Sequence, residues 1–159
     1  MIKRKTYLFL NIFTIITLCT ISVNAEQDIL QSDELKELRQ TLTEAGFTVR
    51  FNNPPVQGAY GLFNSKKKII WIAPITKEIG ILRQTFIHEA VHAAQACKNG
   101  KIEPIGWSLN ADKAVEAHIN SVLYRKYPPE KHDVEREAFM MQAQSDASKK
   151  IKNALIKYC

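Results

Sequence analysis

Cysteine is scarce in this chain, and that scarcity sets the first limits. Of the three cysteines in 159 residues, Cys19 lies inside an N-terminal apolar stretch, which leaves Cys97 and Cys159 for the folded part. Also missing are an internal repeat, a low-complexity linker and any feature that would mark a second domain, so one domain with a modest core is expected. No arginine- or lysine-rich arm and no aromatic RNA-binding motif occurs, so the basic balance gives no ground for expecting nucleic acid as a partner. The short run Lys66-Lys67-Lys68 reads as a hairpin turn. An apolar content of 45% and a charged content of 24% are those of an ordinary globular protein.

The first 25 residues stand apart. Lys3-Arg4-Lys5 is a basic start, Tyr7 to Val23 is mostly apolar, and Val23-Asn24-Ala25 supplies small residues where a signal peptidase cuts. Residues 1–25 therefore read as a cleavable signal peptide and 26–159 as the mature domain, secreted or periplasmic, with no stable membrane anchor left after cleavage; the alternative reading of the stretch is an uncleaved membrane anchor. Ile16-Thr17-Leu18 before Cys19 lacks the small residues of a lipoprotein site. Cleavage removes three positive charges and no negative ones, so the formal net charge falls from +6 to +3. In an oxidising compartment Cys97 and Cys159 can pair; the alternative is two free thiols.

Periodicity predicts an α+β fold. Ser32 is a candidate N-cap, followed by the stripe Leu35, Leu38 and Leu42, and Gly46 ends this first helix. Phe47–Phe51 alternates as a strand, Asn52-Asn53-Pro54-Pro55 breaks it, and Gly58–Phe63 and Lys68–Ala73 are expected to form an antiparallel hairpin. From Lys77 or Glu78 the period becomes helical until Asn99-Gly100. After a loop over 101–110, a helix is expected from Asp112 to Tyr124, offering Ala114, Val115, Ala117, Ile119 and Val122 for packing. A last helix is expected from near Asp133 almost to Ile156. The expected order is thus an N-terminal helix, a small antiparallel sheet, one central helix and two further helices.

The chemistry lies on the central helix, in His88-Glu89-Ala90-Val91-His92. Positions i and i+4 share a helix face, so both imidazoles reach one metal ion. Glu89 is turned about 100° from His88, beside that ion. Neutral imidazole suits zinc, a catalytic zinc site keeps one position for water, and zinc lowers the pKa of that water to about 7. Glu89 is then placed to take the proton. Ile87, Ala90, Val91, Ala93 and Ala94 flank the motif with apolar surface.

This motif resembles the signature of the zincin metallopeptidases, and the segment Glu135-Arg136-Glu137-Ala138 resembles the later segment of their gluzincin branch. The resemblance covers those two segments only. It implies a third ligand at Glu135, three residues before the small Ala138, and it implies a strand beside the cleft that pairs with an extended peptide. The Lys68–Ala73 strand is the candidate for that pairing; an ordinary interior strand is the other reading. Phe139 departs from the gluzincin pattern, in which Asp or Asn often follows the small residue. Glu137 competes with Glu135 because two residues turn a helix by about 200°, and His118, His132 and Glu116 are further candidates. Tyr124, Tyr127 and His118 are candidates to stabilise a developing oxyanion. Gln95 shares the helix face of the two histidines, and Trp71 and Trp107 suit core or cleft wall. The expected activity is zinc-dependent hydrolysis of a peptide or protein substrate. The alternative is a non-catalytic zinc-binding interaction module of the cell envelope on the same scaffold. Oligomeric state is left open by the sequence.

Overall fold

The first helix, α1 (Asp33–Glu44), starts where the Ser32 hydroxyl accepts the Leu35 N–H and buries Leu35, Leu38 and Leu42. Each such side chain contributes about 1.5–3 kcal/mol relative to exposure. These elements come from a computed structural model that describes residue 30 and residues 32–159. The expected signal peptide lies outside the described residues. Among the described residues no helix is long and apolar enough to cross a membrane.

Strands β1 (Thr48–Arg50), β2 (Gly61–Asn64) and β3 (Ile69–Ile72) form one sheet in the order β1-β3-β2. β2 and β3 are the expected antiparallel hairpin, with Leu62 opposite Trp71. β1 runs parallel to β3, with Val49 opposite Ile70. The sheet is therefore mixed rather than antiparallel. The reason is the connection over residues 51–60, which contains Pro54 and Pro55 and is too long for a tight hairpin. It lets β2 settle on the far side of β3. β3 is consequently the central strand, with Ile70, Trp71 and Ile72 buried. The interior-strand reading of Lys68–Ala73 holds, and the free edge on that side belongs to β2.

Helix α2 (Ile75–Glu78) is short, and Gly80 separates it from α3 (Leu82–Asn99). Gly80 adopts φ 74°, a conformation open to glycine, so the expected single helix is broken there. Every residue of α3 from Phe86 to Gln95 is buried. α4 (Lys113–Lys126) begins where Asp112 accepts the Val115 N–H. It packs mainly through Ile119 and Leu123, against Met140, while Ala114 and Ala117 stay exposed.

A one-turn 3₁₀ segment (Pro129–Lys131) leads into α5 (His132–Gln142), and α6 (Ala147–Tyr158) follows. The expected last helix is thus two helices. Arg83 fixes the break: its guanidinium donates to the Gln142 and Gln144 carbonyls and pairs with both oxygens of Glu34 on α1. The carbonyls left over as α5 ends gain a charged donor in this way. Cys97, near the end of α3, is disulfide-bonded to Cys159 across 62 residues of sequence. The pairing expected from the two cysteines is realised.

Candidate metal centre

One turn of α3 carries His88 and His92, and α5 lies against it carrying Glu135. Glu135 Oε2 sits 3.2 Å from His88 Nε2 and 3.4 Å from His92 Nε2, and the two nitrogens are 3.2 Å apart. The two histidines are buried and Glu135 partly so. This group can hold a metal ion: three lone-pair atoms of three side chains converge on one point. Burial would raise the Glu135 pKa, but hydrogen bonds from the His88 and His92 rings in their protonated form outweigh it and hold the carboxyl at about 2. Burial disfavours the charged form of His92, yet the Glu135 and Glu89 carboxylates prevail and raise its pKa.

The tautomer of His92 follows from its neighbour. Gln95 Nε2 donates to Glu137 Oε2 at 2.9 Å and to the Val134 carbonyl at 3.1 Å, both acceptors only. Gln95 Oε1 therefore faces His92 Nδ1 at 2.8 Å as the acceptor. Nδ1 carries the proton, and the neutral ring turns a bare Nε2 towards Glu135. His88 has a different surrounding. Phe139 packs edge-on against its ring at 4.7 Å, and its buried Nδ1 has no hydrogen-bond partner. Phe139 thus makes an aromatic contact with a histidine of the group. The amide that orients a histidine is that of Gln95, three residues beyond His92.

Glu89 points into the same cleft from the next position of α3. Burial raises its pKa, against the opposing pull of His88 and His92. Its carboxylate accepts the Phe63 N–H of β2. In the β2–β3 pair Tyr60 O accepts from Ala73 N, so the alternation turns the backbone groups of Gly61 and Phe63 to the free edge. Gly61 approaches Glu89 so closely that a Cβ there would meet Glu89 Oε1 at 2.6 Å. The cleft encloses about 380 Å³, and Leu62, Ile102, Tyr127 and Val134 complete its apolar wall. Tyr127 is pushed up to about 12 by burial and by the nearby Glu135 and Glu89 carboxylates.

The other candidates fall outside. Glu137 is buried outside the triangle, where it accepts the N–H groups of Ile105, Gly106 and Trp107 and the Gln95 amide. Those bonds use both of its oxygens, whereas the group that can hold a metal ion contains Glu135. Glu116 and His118 are exposed on α4, Tyr124 is 78% exposed, and His132 Nε2 lies 3.0 Å from the Tyr127 carbonyl. Trp71 is core and Trp107 belongs to the loop held by Glu137. Only Tyr127 of the three oxyanion candidates reaches the cleft.

A domain of unknown function, DUF8637, matches residues 75–159, more than half of the chain. The chain belongs to the DUF8637 family. The DUF8637 segment carries all three triangle residues together with Glu89, Gln95 and Glu137, while the sheet lies upstream of it. Comparison with curated proteins and with solved structures found no significant match.

Proposed function

We propose that this DUF8637 protein is an exported zinc-dependent peptidase of gluzincin type, with His88, His92 and Glu135 as ligands and Glu89 as general base. The observation that carries the reading is the ligand triangle. Four-coordinate zinc with bonds of about 2.0–2.1 Å sets its ligand atoms about 3.3–3.4 Å apart. The three ligand atoms stand 3.2, 3.2 and 3.4 Å from one another. Two neutral imidazoles and one carboxylate are also the donor set that zinc takes in hydrolases. The disulfide suits export, as does the leader-like start of the sequence.

When bound, zinc polarises a carbonyl oxygen and makes a water molecule more acidic. The chain's own residues supply the rest. Glu89, raised in pKa by burial, takes a proton from the attacking water and passes it to the leaving amine. The Tyr127 hydroxyl, kept protonated, donates to the oxygen on which charge develops. An extended peptide lies along the free edge of β2, where the Gly61 backbone faces outwards. This replaces β3 in the role first expected of it.

Purified mature protein should hold about one zinc per chain, and His88→Ala or His92→Ala should remove most of it by metal analysis. Glu89→Gln should keep zinc while hydrolysis of an unfolded protein substrate falls at least roughly 10²-fold. Glu135→Gln should weaken zinc binding and activity together. Equal hydrolysis by wild type and Glu89→Gln would refute the mechanism. A second reading, zinc binding without turnover, is favoured by the Phe63 N–H already occupying the Glu89 carboxylate. It gains if zinc is bound and a broad peptide library stays intact.

A further inference from the structure

We infer that Gln95 and Glu137 are positioning residues that tie the metal affinity of His92 to the loop bringing Ile102 to the cleft; this rests on the metal reading above. Gln95 is fully buried, and Glu137 is 8% exposed. Neither belongs to the triangle, yet one uninterrupted run of hydrogen bonds links them to it. His92 Nδ1–H donates to Gln95 Oε1 at 2.8 Å, and Gln95 Nε2–H donates to Glu137 Oε2 at 2.9 Å. Glu137 Oε2 also accepts Ile105 N–H at 2.8 Å, while Oε1 accepts Gly106 N–H at 2.7 Å and Trp107 N–H at 3.1 Å. Lys98 holds the same loop through the Pro104 and Ile105 carbonyls, both at 3.1 Å.

The direction of these bonds matters more than their number. An amide side chain fits a site either way round unless its neighbours force a choice. The Glu137 carboxylate, which accepts only, forces the Gln95 NH₂ group to face it. The Gln95 oxygen must then face His92, and the His92 proton must sit on Nδ1. With a neutral amide at position 137, only the Val134 carbonyl still instructs Gln95, and its NH₂ group turns to His92 more readily. Nδ1 then becomes the acceptor and the ring proton moves to Nε2, the atom that faces Glu135. A metal ligand would be masked by its own proton. Gln95 acts on the second element as well: its bond to the Val134 carbonyl, at 3.1 Å, fixes the α5 backbone one residue before Glu135. Loop, carboxylate and amide thus act on His92 and on the approach of Glu135.

The test uses the mature full-length protein and zinc, titrated in competition with a chromophoric chelator. Glu137→Gln and the near-isosteric Gln95→Met should each weaken zinc binding by about 10–100-fold, the usual loss when the partner of a ligating histidine is removed. The double variant should be little weaker than the worse single one, because both act through one path. Nitrogen-15 spectra of the zinc-free protein, recorded with His92 neutral, should give the Nδ1–H form in wild type and a shift towards Nε2–H in Glu137→Gln. A merely structural pair would lower the zinc-free Tm and leave affinity and tautomer unchanged, and that result overturns the inference. So would failure of both single variants to fold with or without zinc, since the pair would then be a part of the core. Wild type that binds no zinc would instead sink the metal reading itself.

Discussion

The Gly61 backbone lies close against Glu89 in the cleft, and Gly61→Ala turns that approach into a displacement. An added Cβ would lie 2.6 Å from Glu89 Oε1, 2.8 Å from Glu89 Cγ and 2.8 Å from Thr85 Cγ2. Ordinary contact starts near 3.4 Å, so the Glu89 carboxylate must retreat by about 0.8 Å, or β2 must lift off α3. Overpacking of this kind costs about 1–3 kcal/mol. A displacement of about 1 Å in a reacting group costs about 10²-fold in rate. The expected outcome is a folded Gly61→Ala protein with wild-type zinc content, a Tm lowered by several degrees and hydrolysis reduced about 10²-fold. A thermodynamic cycle makes the cause specific. In a Glu89→Ala background two of the three close contacts disappear, so Gly61→Ala should there cost less stability than in wild type. Thermal melts of the four proteins give the coupling directly. Equal costs in both backgrounds would refute the idea that Glu89 is what Gly61 accommodates.

Three further outcomes follow from the geometry. Closing a loop across 62 residues should stabilise the fold by about 4.3 kcal/mol in the chain-entropy account, so Cys97→Ser/Cys159→Ser should melt about 15 °C lower. Differential scanning calorimetry checks it, and a loss under about 3 °C would contradict the estimate. Burial raises the Glu89 pKa above its ordinary 4.5, so the folded state holds this proton more tightly than the unfolded chain and loses stability as pH rises from about 4.5 through the raised value. Zinc-free Glu89→Gln should therefore be more stable than wild type at neutral pH, with the difference vanishing on acidification in a pH series of melts. Tyr127→Phe removes the one candidate oxyanion donor at the cleft and should lower kcat about 10²-fold with KM nearly unchanged, read from steady-state hydrolysis.

The features legible in the sequence were those encoded over a few residues. The Ser32 cap and the Leu35, Leu38 and Leu42 stripe specify α1, and the i, i+4 spacing places His88 and His92 on one face, because each depends only on helix geometry. The β2–β3 hairpin is equally local. The parallel pairing of β1 with β3 is not, since it is decided by which side of β3 the long 51–60 connection reaches. Two breaks had weak local signs, Gly80 before α3 and Ser145-Asp146 before α6. In each case the apolar period on either side conceals the change. Glu135 and Glu137 were separable only by the family resemblance, because both lie on a helix with apolar neighbours. What parts them is distant: the Ile105–Trp107 backbone captures Glu137. The spacing puts Gln95 on the histidine face, but its role needs Glu137 beside it, 42 residues away.

The disulfide gives the molecule a covalent ring running from Cys97 to Cys159, and the ring divides the site in a particular way. Glu135, Glu137 and Tyr127 lie within it, whereas His88, Glu89, His92 and the whole sheet precede it. A single cut in the exposed stretch Gly100–Glu103 would therefore not release Glu135. The two fragments would remain one molecule until reduced, with the α5 helix still tethered within reach of the two histidines. Nicked protein would then keep Glu135 beside the two histidines, and parting them would need two separate events, a cut and a reduction.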